Sequence, residues 1–137
     1  MREISVGAII FHNKEVLLIH QKHGNHIGFP KGHIENNESF EETALREVFE
    51  EVGVNITLLQ ISYEVFYEPR PNVNKKVIYY LACSKSVETS IQPSEILRAF
   101  WVSPEEAFKH LTYDNDKQAL KYMIAQNVED VHDYRNC

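Results

Sequence analysis

The segment from Ser39 to Gly53, SFEETALREVFEEVG, specifies both of its own ends and so places a helix in the middle of the chain whatever surrounds it. Ser39 and Glu42 form a capping box, in which each side chain can satisfy the other residue's backbone N–H. Gly53 is suited to closing the last turn in the left-handed conformation. On a wheel of 100° per residue with Glu47 at zero, Glu50 falls at about 300° and Glu51 at about 40°, so three carboxylates share one face. Leu45, Val48, Phe49 and Val52 fall at about 100° to 200°, and this opposite face is expected to pack inward.

Strands are expected on both sides of that helix. EISVGAIIFH and EVLLIHQ are rich in β-branched residues and joined by Asn13-Lys14, so they read as paired strands over residues 3–12 and 15–22. KHGNHIGFPKGH then reads as a loop. Residues 55–67 and 76–84 alternate or run apolar, with EPRPNVNK between them as a long hairpin tip, and a further strand covers 98–102. Ser103-Pro104-Glu105-Glu106 reads as a second capping box with proline at the first helical position, opening a helix to about His110. Asp114 is the expected N-cap of a last helix, in which Ala119, Leu120, Met123 and Ile124 recur at helical spacing. The tail NVEDVHDYRNC is polar and supports no assignment. This order of elements predicts an α/β fold, a mixed sheet packed between helices as an α/β/α sandwich, with residues 1–137 as one domain.

A formal charge of −6 argues against gripping nucleic acid through a broad basic face, which needs clustered Lys and Arg. A small anionic substrate stays open if metal ions shield it. The apolar run Val6 to Phe11 is far shorter than a membrane span and has no signal-peptide cleavage pattern, so neither membrane insertion nor export is expected. Cys83 and Cys137 lie far apart without metal-ligand spacing and read as free thiols in a reducing cytoplasm. His20, His23 and His26 recur in one segment, but without an accompanying cysteine or a helical register they make a poor zinc site. The sequence does not fix an oligomeric state.

Clustered glutamates alone describe an ordinary solvated face, since pairs at i, i+3 and i+4 repel by only a few tenths of a kcal/mol. The spacing is what singles this helix out: Gly32, five residues, Glu38, seven residues, Arg46-Glu47, aliphatic Val48, one residue, Glu50-Glu51, one residue, Gly53, aliphatic Val54. It resembles the Nudix box, G-x5-E-x7-R-E-U-x-E-E-x-G-U with U aliphatic, at every specified position. Such agreement arises by chance with a probability of ~10⁻⁷ at average residue frequencies. The resemblance implies metal-dependent hydrolysis of a nucleotide phosphoanhydride on an α/β/α sandwich. It implies Mg²⁺, with Mn²⁺ as the alternative, held by Glu47, Glu50 and Glu51 and by the backbone carbonyl of Lys31; such cations favour oxygen ligands. Arg46, counted with the catalytic set, would pair with a neighbouring carboxylate and fix the helix against the loop, supported by Glu38.

Residues outside the box carry a narrower resemblance. GFPKGHIE resembles the W-x-x-P-K-G-H-x-E form of asymmetrical diadenosine tetraphosphate hydrolases, with Ile27 where that subgroup often has tryptophan. Lys31 and His33 are then implied in substrate binding, His33 either on phosphate or in stabilising the loop. NKKVIYYLA looks like the strand in which a lysine meets polyphosphate and a tyrosine stacks on adenine, matching Lys75 and Tyr79; alternation puts Tyr79 and Tyr80 on opposite faces. SEILRAFWVSPEEA resembles the segment whose glutamate, six residues before tryptophan, reaches the metals, matching Glu95 as an added ligand or the general base. Tyr113 matches an aromatic that closes over the same base. The implied reaction is diadenosine tetraphosphate to ATP and AMP, with Glu51 or Glu95 taking the proton of the attacking water. Two other readings stay open: a hydrolase of another nucleotide, either a damaged nucleoside triphosphate or an RNA 5′-triphosphate end, and a nucleotide-sensing module without catalysis.

Overall fold

Residues 2–126 are described by a computed structural model. Its spine is the pairing of β1 (Arg2–His12) with β6 (Val73–Cys83), parallel from Arg2↔Asn74 to Phe11↔Cys83. β5 (Thr57–Arg70) adds to β6 antiparallel. On its other edge β1 meets β2 (Glu15–Gln21) at Phe11↔Val16 and His12↔Glu15, then diverges from it. The opening is filled by two short strands, β3 (Ile27–Gly28) on β2 and β4 (Lys31–His33) on β1. β7 (Ile96–Val102) pairs with the far edge of β2. The result is the expected mixed sheet.

Period-2 alternation divides the core into two layers. Ala8, Ile10, Leu17 and Ile19 point to one face, where Val48 and Val52 of α1 (Phe40–Val52) cover them. Ile9, Phe11, Val16 and Leu18 point to the other, against Ala107 of α2 (Pro104–His110), Leu111, and Ala119, Leu120 and Met123 of α3 (Asp114–Ile124). This is the α/β/α sandwich, with helices burying both faces of one sheet. Among the described residues no helix is long and apolar enough to cross a membrane.

Several local expectations change. The tip between β5 and β6 is a tight turn at Pro71-Asn72, because Asn72 takes a left-handed φ of 67° and lets Arg70 pair directly with Val73. α3 is capped by Tyr113, with Asp114 as its first residue and no side-chain cap bond. Ser103 accepts from the Glu106 N–H, but the Glu106 carboxylate faces Lys109 and His110 instead of closing a reciprocal box. Leu45 and Phe49 stay 43% and 53% exposed, since the buried arc of α1 is centred on Ala44, Val48, Glu51 and Val52 and leaves those two on its outer edge. Cys83 is disulfide-bonded, which corrects the free-thiol reading for that residue; sequence separation carries no information on spatial approach. Cys137 and the polar tail lie outside the described residues.

Candidate functional site

The inward rotation of α1 sorts its carboxylates by environment. Glu51 lies on the buried arc at 8% exposure, Glu47 is half-buried, and Glu50 is exposed. Burial pushes the Glu51 carboxyl up to about 8, opposed by the backbone N–H and the charge of Lys31. Burial likewise raises Glu47, against the pull of Arg46. Glu38 goes the other way, down to about 2, through its hydrogen bonds from Arg46 first and from the Glu35 N–H second.

Arg46 is the hub of this face. Its Nε and Nη2 fork onto both oxygens of Glu38, Nη2 also reaches the His33 carbonyl at 2.9 Å, and Nη1 meets Glu47 at 2.8 Å and Glu50 at 3.1 Å. Such planar, multi-donor recognition suits guanidinium and is outside the reach of lysine. One side chain therefore ties the helix, the pre-helix loop and β4 together, as expected for Arg46. It contacts carboxylates and a backbone carbonyl, which makes it a positioning group. His33 enters through its carbonyl, while its side chain stays exposed.

Two loops bring other residues to the same helix. β4 crosses close to α1, so that the Lys31 N–H donates to Glu51 Oε1 at 3.0 Å. A Cβ on Gly32 would overlap the Glu47 carboxylate, so glycine here lets that carboxylate lie against the loop backbone. At the other end, Gly53 closes α1 in the left-handed region at φ 69°. The segment before β7 then docks there: Ser90 N–H donates to the Val52 carbonyl and Gln92 N–H to that of Glu51. Glu95 follows on this segment, exposed, with its charge among those that raise Glu51.

The donor set is made of hard oxygens, which fits Mg²⁺ or Mn²⁺ and disfavours softer ions. The expected ligand cluster is not gathered by the side chains as they stand. Among the described residues no three His, Cys, Asp or Glu groups converge to hold an ion. Arg46 engages Glu47 and Glu50, and a backbone N–H engages Glu51. Such a site fits a cation that competes with hydrogen bonds already made.

The Lys31 side chain leaves this cluster and enters a cleft of ≈ 540 Å³ lined also by His26, Phe66, Tyr67, Lys75, Tyr113 and Asp116. Lys75 stands across it; burial and then the nearby Lys31 charge lower its pKa. Two cations held close and partly desolvated suit an anionic group such as phosphate. His26 is lowered to about 4, by burial first and then by Lys31 and Lys75, and is neutral at pH 7. Its ring lies 5.3 Å from that of Tyr113, which lies 5.9 Å from that of Tyr67, so one side of the cleft is aromatic. A match to the NUDIX domain spans residues 1–124. The chain belongs to the Nudix family.

Among Nudix proteins it is 31% identical to Nudix hydrolase 2 of Arabidopsis thaliana over 133 residues, 88% of this chain and 45% of that protein. It therefore spans less than half the length of that relative. It is 35% identical to the asymmetrical bis(5'-nucleosyl)-tetraphosphatase of Mus musculus over 113 residues, 78% of this chain and 76% of that protein. In structure it matches a C. elegans Ap4A hydrolase binary complex with a TM-score of 0.82 at 25% identity, covering 90% of this chain and 96% of that one. The fold is thus the Nudix α/β/α sandwich, as the box implied.

One site expectation is overturned. Tyr79 is fully buried, packed edge-on against Phe29 with its hydroxyl on Asp116, and offers no ring face to a ligand. Alternation holds, since Tyr80 points to the opposite face and bonds Glu41. The accessible aromatics are Tyr67 and Tyr113, with Phe66. Tyr67 was readable, because Tyr63, Val65 and Tyr67 share one face of β5 by period 2 and the last stands opposite Lys75. Asp116 carried no such signal, since an acidic residue in the first turn of a helix is commonplace.

Proposed function

We propose that this Nudix domain hydrolyses a nucleotide phosphoanhydride, cleaving diadenosine tetraphosphate asymmetrically to ATP and AMP. The observation that carries this reading is the double role of Lys31. Its backbone binds the buried box carboxylate Glu51, while its side chain faces Lys75 in an aromatic-walled cleft. A polyphosphate lying across the lysines would place its reacting phosphorus beside the box helix and a base beside Tyr113. The 35% identity to the mouse tetraphosphatase supports the same substrate class.

Glu47, Glu50 and Glu51, the Lys31 carbonyl and Glu95 would hold the divalent cations, Mg²⁺ or Mn²⁺. Bound cations of this kind neutralise phosphate charge and acidify water. A water oxygen bonds to phosphorus as the bridging P–O bond breaks, and its proton passes to the carboxylate of Glu51 or Glu95. Lys31 and Lys75 orient the phosphates, and Tyr113 with Tyr67 holds one base. His33 adds a contact to phosphate from β4.

The test is product analysis with Mg²⁺ on a panel of dinucleoside polyphosphates and nucleoside triphosphates. ATP with AMP in equal amounts from the tetraphosphate supports the reading. Monophosphate with pyrophosphate from a triphosphate, and an inert tetraphosphate, would replace it with a triphosphate hydrolase. Nucleotide binding without product release would replace it with a sensing module. Glu50→Gln should abolish turnover with the fold intact, and near-normal activity of that variant would sink the assignment.

A further inference from the structure

Asp116 is a carboxylate placed where the cleft's chemistry gives it no evident task. It is 3% exposed, and Oδ1 takes two hydroxyl donors, Tyr67 at 2.6 Å and Tyr79 at 3.0 Å. These bonds consume Oδ1 and fix the carboxylate plane. Among the described residues Oδ2 has no hydrogen-bond partner. No enclosed side-chain nitrogen or oxygen among the described residues lacks a partner, so Oδ2 must open onto the cleft that Asp116 lines. Gly28 leaves room beside it: a Cβ there would come within 3.1 Å of Oδ2. Tyr113, 43% exposed, and Tyr67 supply flat apolar surface in the same cleft.

A carboxylate clamped by two hydroxyl donors offers only acceptor capacity at its remaining oxygen. Next to an aromatic surface that can stack a base, such an oxygen favours an N–H donor on the base edge and repels a carbonyl. We propose that Asp116 reads the base, its Oδ2 accepting from the 6-amino group of an adenine stacked on Tyr113 and rejecting purines with oxygen at that position. Asp116 is on this account a specificity-determining residue, and Tyr67 and Tyr79 aim it. The inference rests on the reading that the cleft holds a nucleotide, but it needs no turnover.

Equilibrium binding to the full chain tests it with three nucleotides that differ at position 6: ATP carries an amino group, purine riboside triphosphate a hydrogen and ITP a carbonyl. Affinity should fall in that order, with ATP favoured over ITP by about tenfold or more, the usual worth of a hydrogen bond to a charged group. Asp116→Asn, whose amide can turn its N–H₂ toward a carbonyl, should bring the two within about twofold. Equal binding of ATP and ITP by the unaltered chain overturns the proposal. So does a folded Asp116→Asn variant that keeps the original ratio, because an anchor for two tyrosines would change stability and leave selectivity alone. If that variant does not fold, the three-nucleotide series decides by itself. Selective binding without product release would keep this inference and sink the hydrolase reading, whereas turnover of diadenosine tetraphosphate without selectivity would do the reverse.

Discussion

Lys31 donates its backbone N–H to Glu51 Oε1 at 3.0 Å, and through that bond the most deeply buried carboxylate of the box holds the loop whose lysine enters the cleft. Glu51 is stabilised by this one donor against a larger desolvation cost, so its environment favours the protonated form. The folded carboxyl titrates at about 8, above the 4.5 of an ordinary glutamate. Between those values the folded chain keeps a proton that the unfolded chain has released, so stability falls as pH rises. Denaturant unfolding of the metal-free protein should show this decline from pH 6.5 to pH 9, above the range in which the depressed His26 adds stability with rising pH. Glu51→Gln should flatten it and be the more stable protein at pH 8. A Glu51→Gln variant with an unchanged pH profile would refute the assignment.

Arg46 binds Glu38 through two of its nitrogens and holds Glu47 and Glu50 with the third. Arg46→Lys keeps the charge and loses the fork. The Glu38 carboxyl, held at about 2, should then move up toward 4.5, a shift that carbon-detected NMR titration reads directly. Turnover should fall by roughly 10–100-fold, as for other losses of groups that orient metal ligands. Unchanged turnover in a variant whose Glu38 titration has moved would mean that positioning by Arg46 is unimportant.

A methyl group at residue 32 separates loop geometry from loop composition. Gly32→Ala puts a Cβ into the space of the Glu47 carboxylate, so either that side chain turns away or β4 withdraws from the helix. Both outcomes spoil an oxygen donor set while leaving the core layers untouched. The concentration of Mg²⁺ needed for half-maximal activity should rise at least about tenfold, as for displacement of a metal-binding group. Thermal unfolding of the metal-free protein should change little by comparison.

The elements that position the site were legible wherever a local rule decides them. Ser39, Glu42 and Gly53 bound α1 as expected, because caps act within one turn. The box spacing identified Glu47, Glu50 and Glu51, yet the wheel could not say that Glu51 faces inward while Leu45 and Phe49 face out. That rotation is set by Val48 and Val52 packing onto β1 and β2, a tertiary contact. Lys31, Lys75 and Tyr113, which line the cleft, and the exposed Glu95 were singled out by resemblance alone. The exchange of Tyr79 for Tyr67 was beyond it, because both tyrosines belong to strands and only the assembled sheet shows which one the Phe29 ring and Asp116 enclose.

That exchange yields the sharpest pair of mutations. Tyr79→Phe removes a buried hydroxyl that donates to Asp116 at 3.0 Å, in a core position with no exposure. It should destabilise the protein by about 1.5–3 kcal/mol, the range for a hydrogen bond to a charged group, with KM for a nucleotide substrate changed little because the shorter Tyr67 bond at 2.6 Å still holds Asp116 in place. Tyr113→Ala deletes an exposed ring from the cleft and should cost little stability. Its loss from a stacked base should weaken substrate binding by about 1–3 kcal/mol, read as a KM raised roughly 5- to 150-fold. Urea unfolding and steady-state kinetics on both variants check the contrast, and the two readouts should separate cleanly between them. A Tyr79→Phe variant with normal stability and a raised KM would show instead that the Tyr79 hydroxyl acts on the ligand, directly or through Asp116.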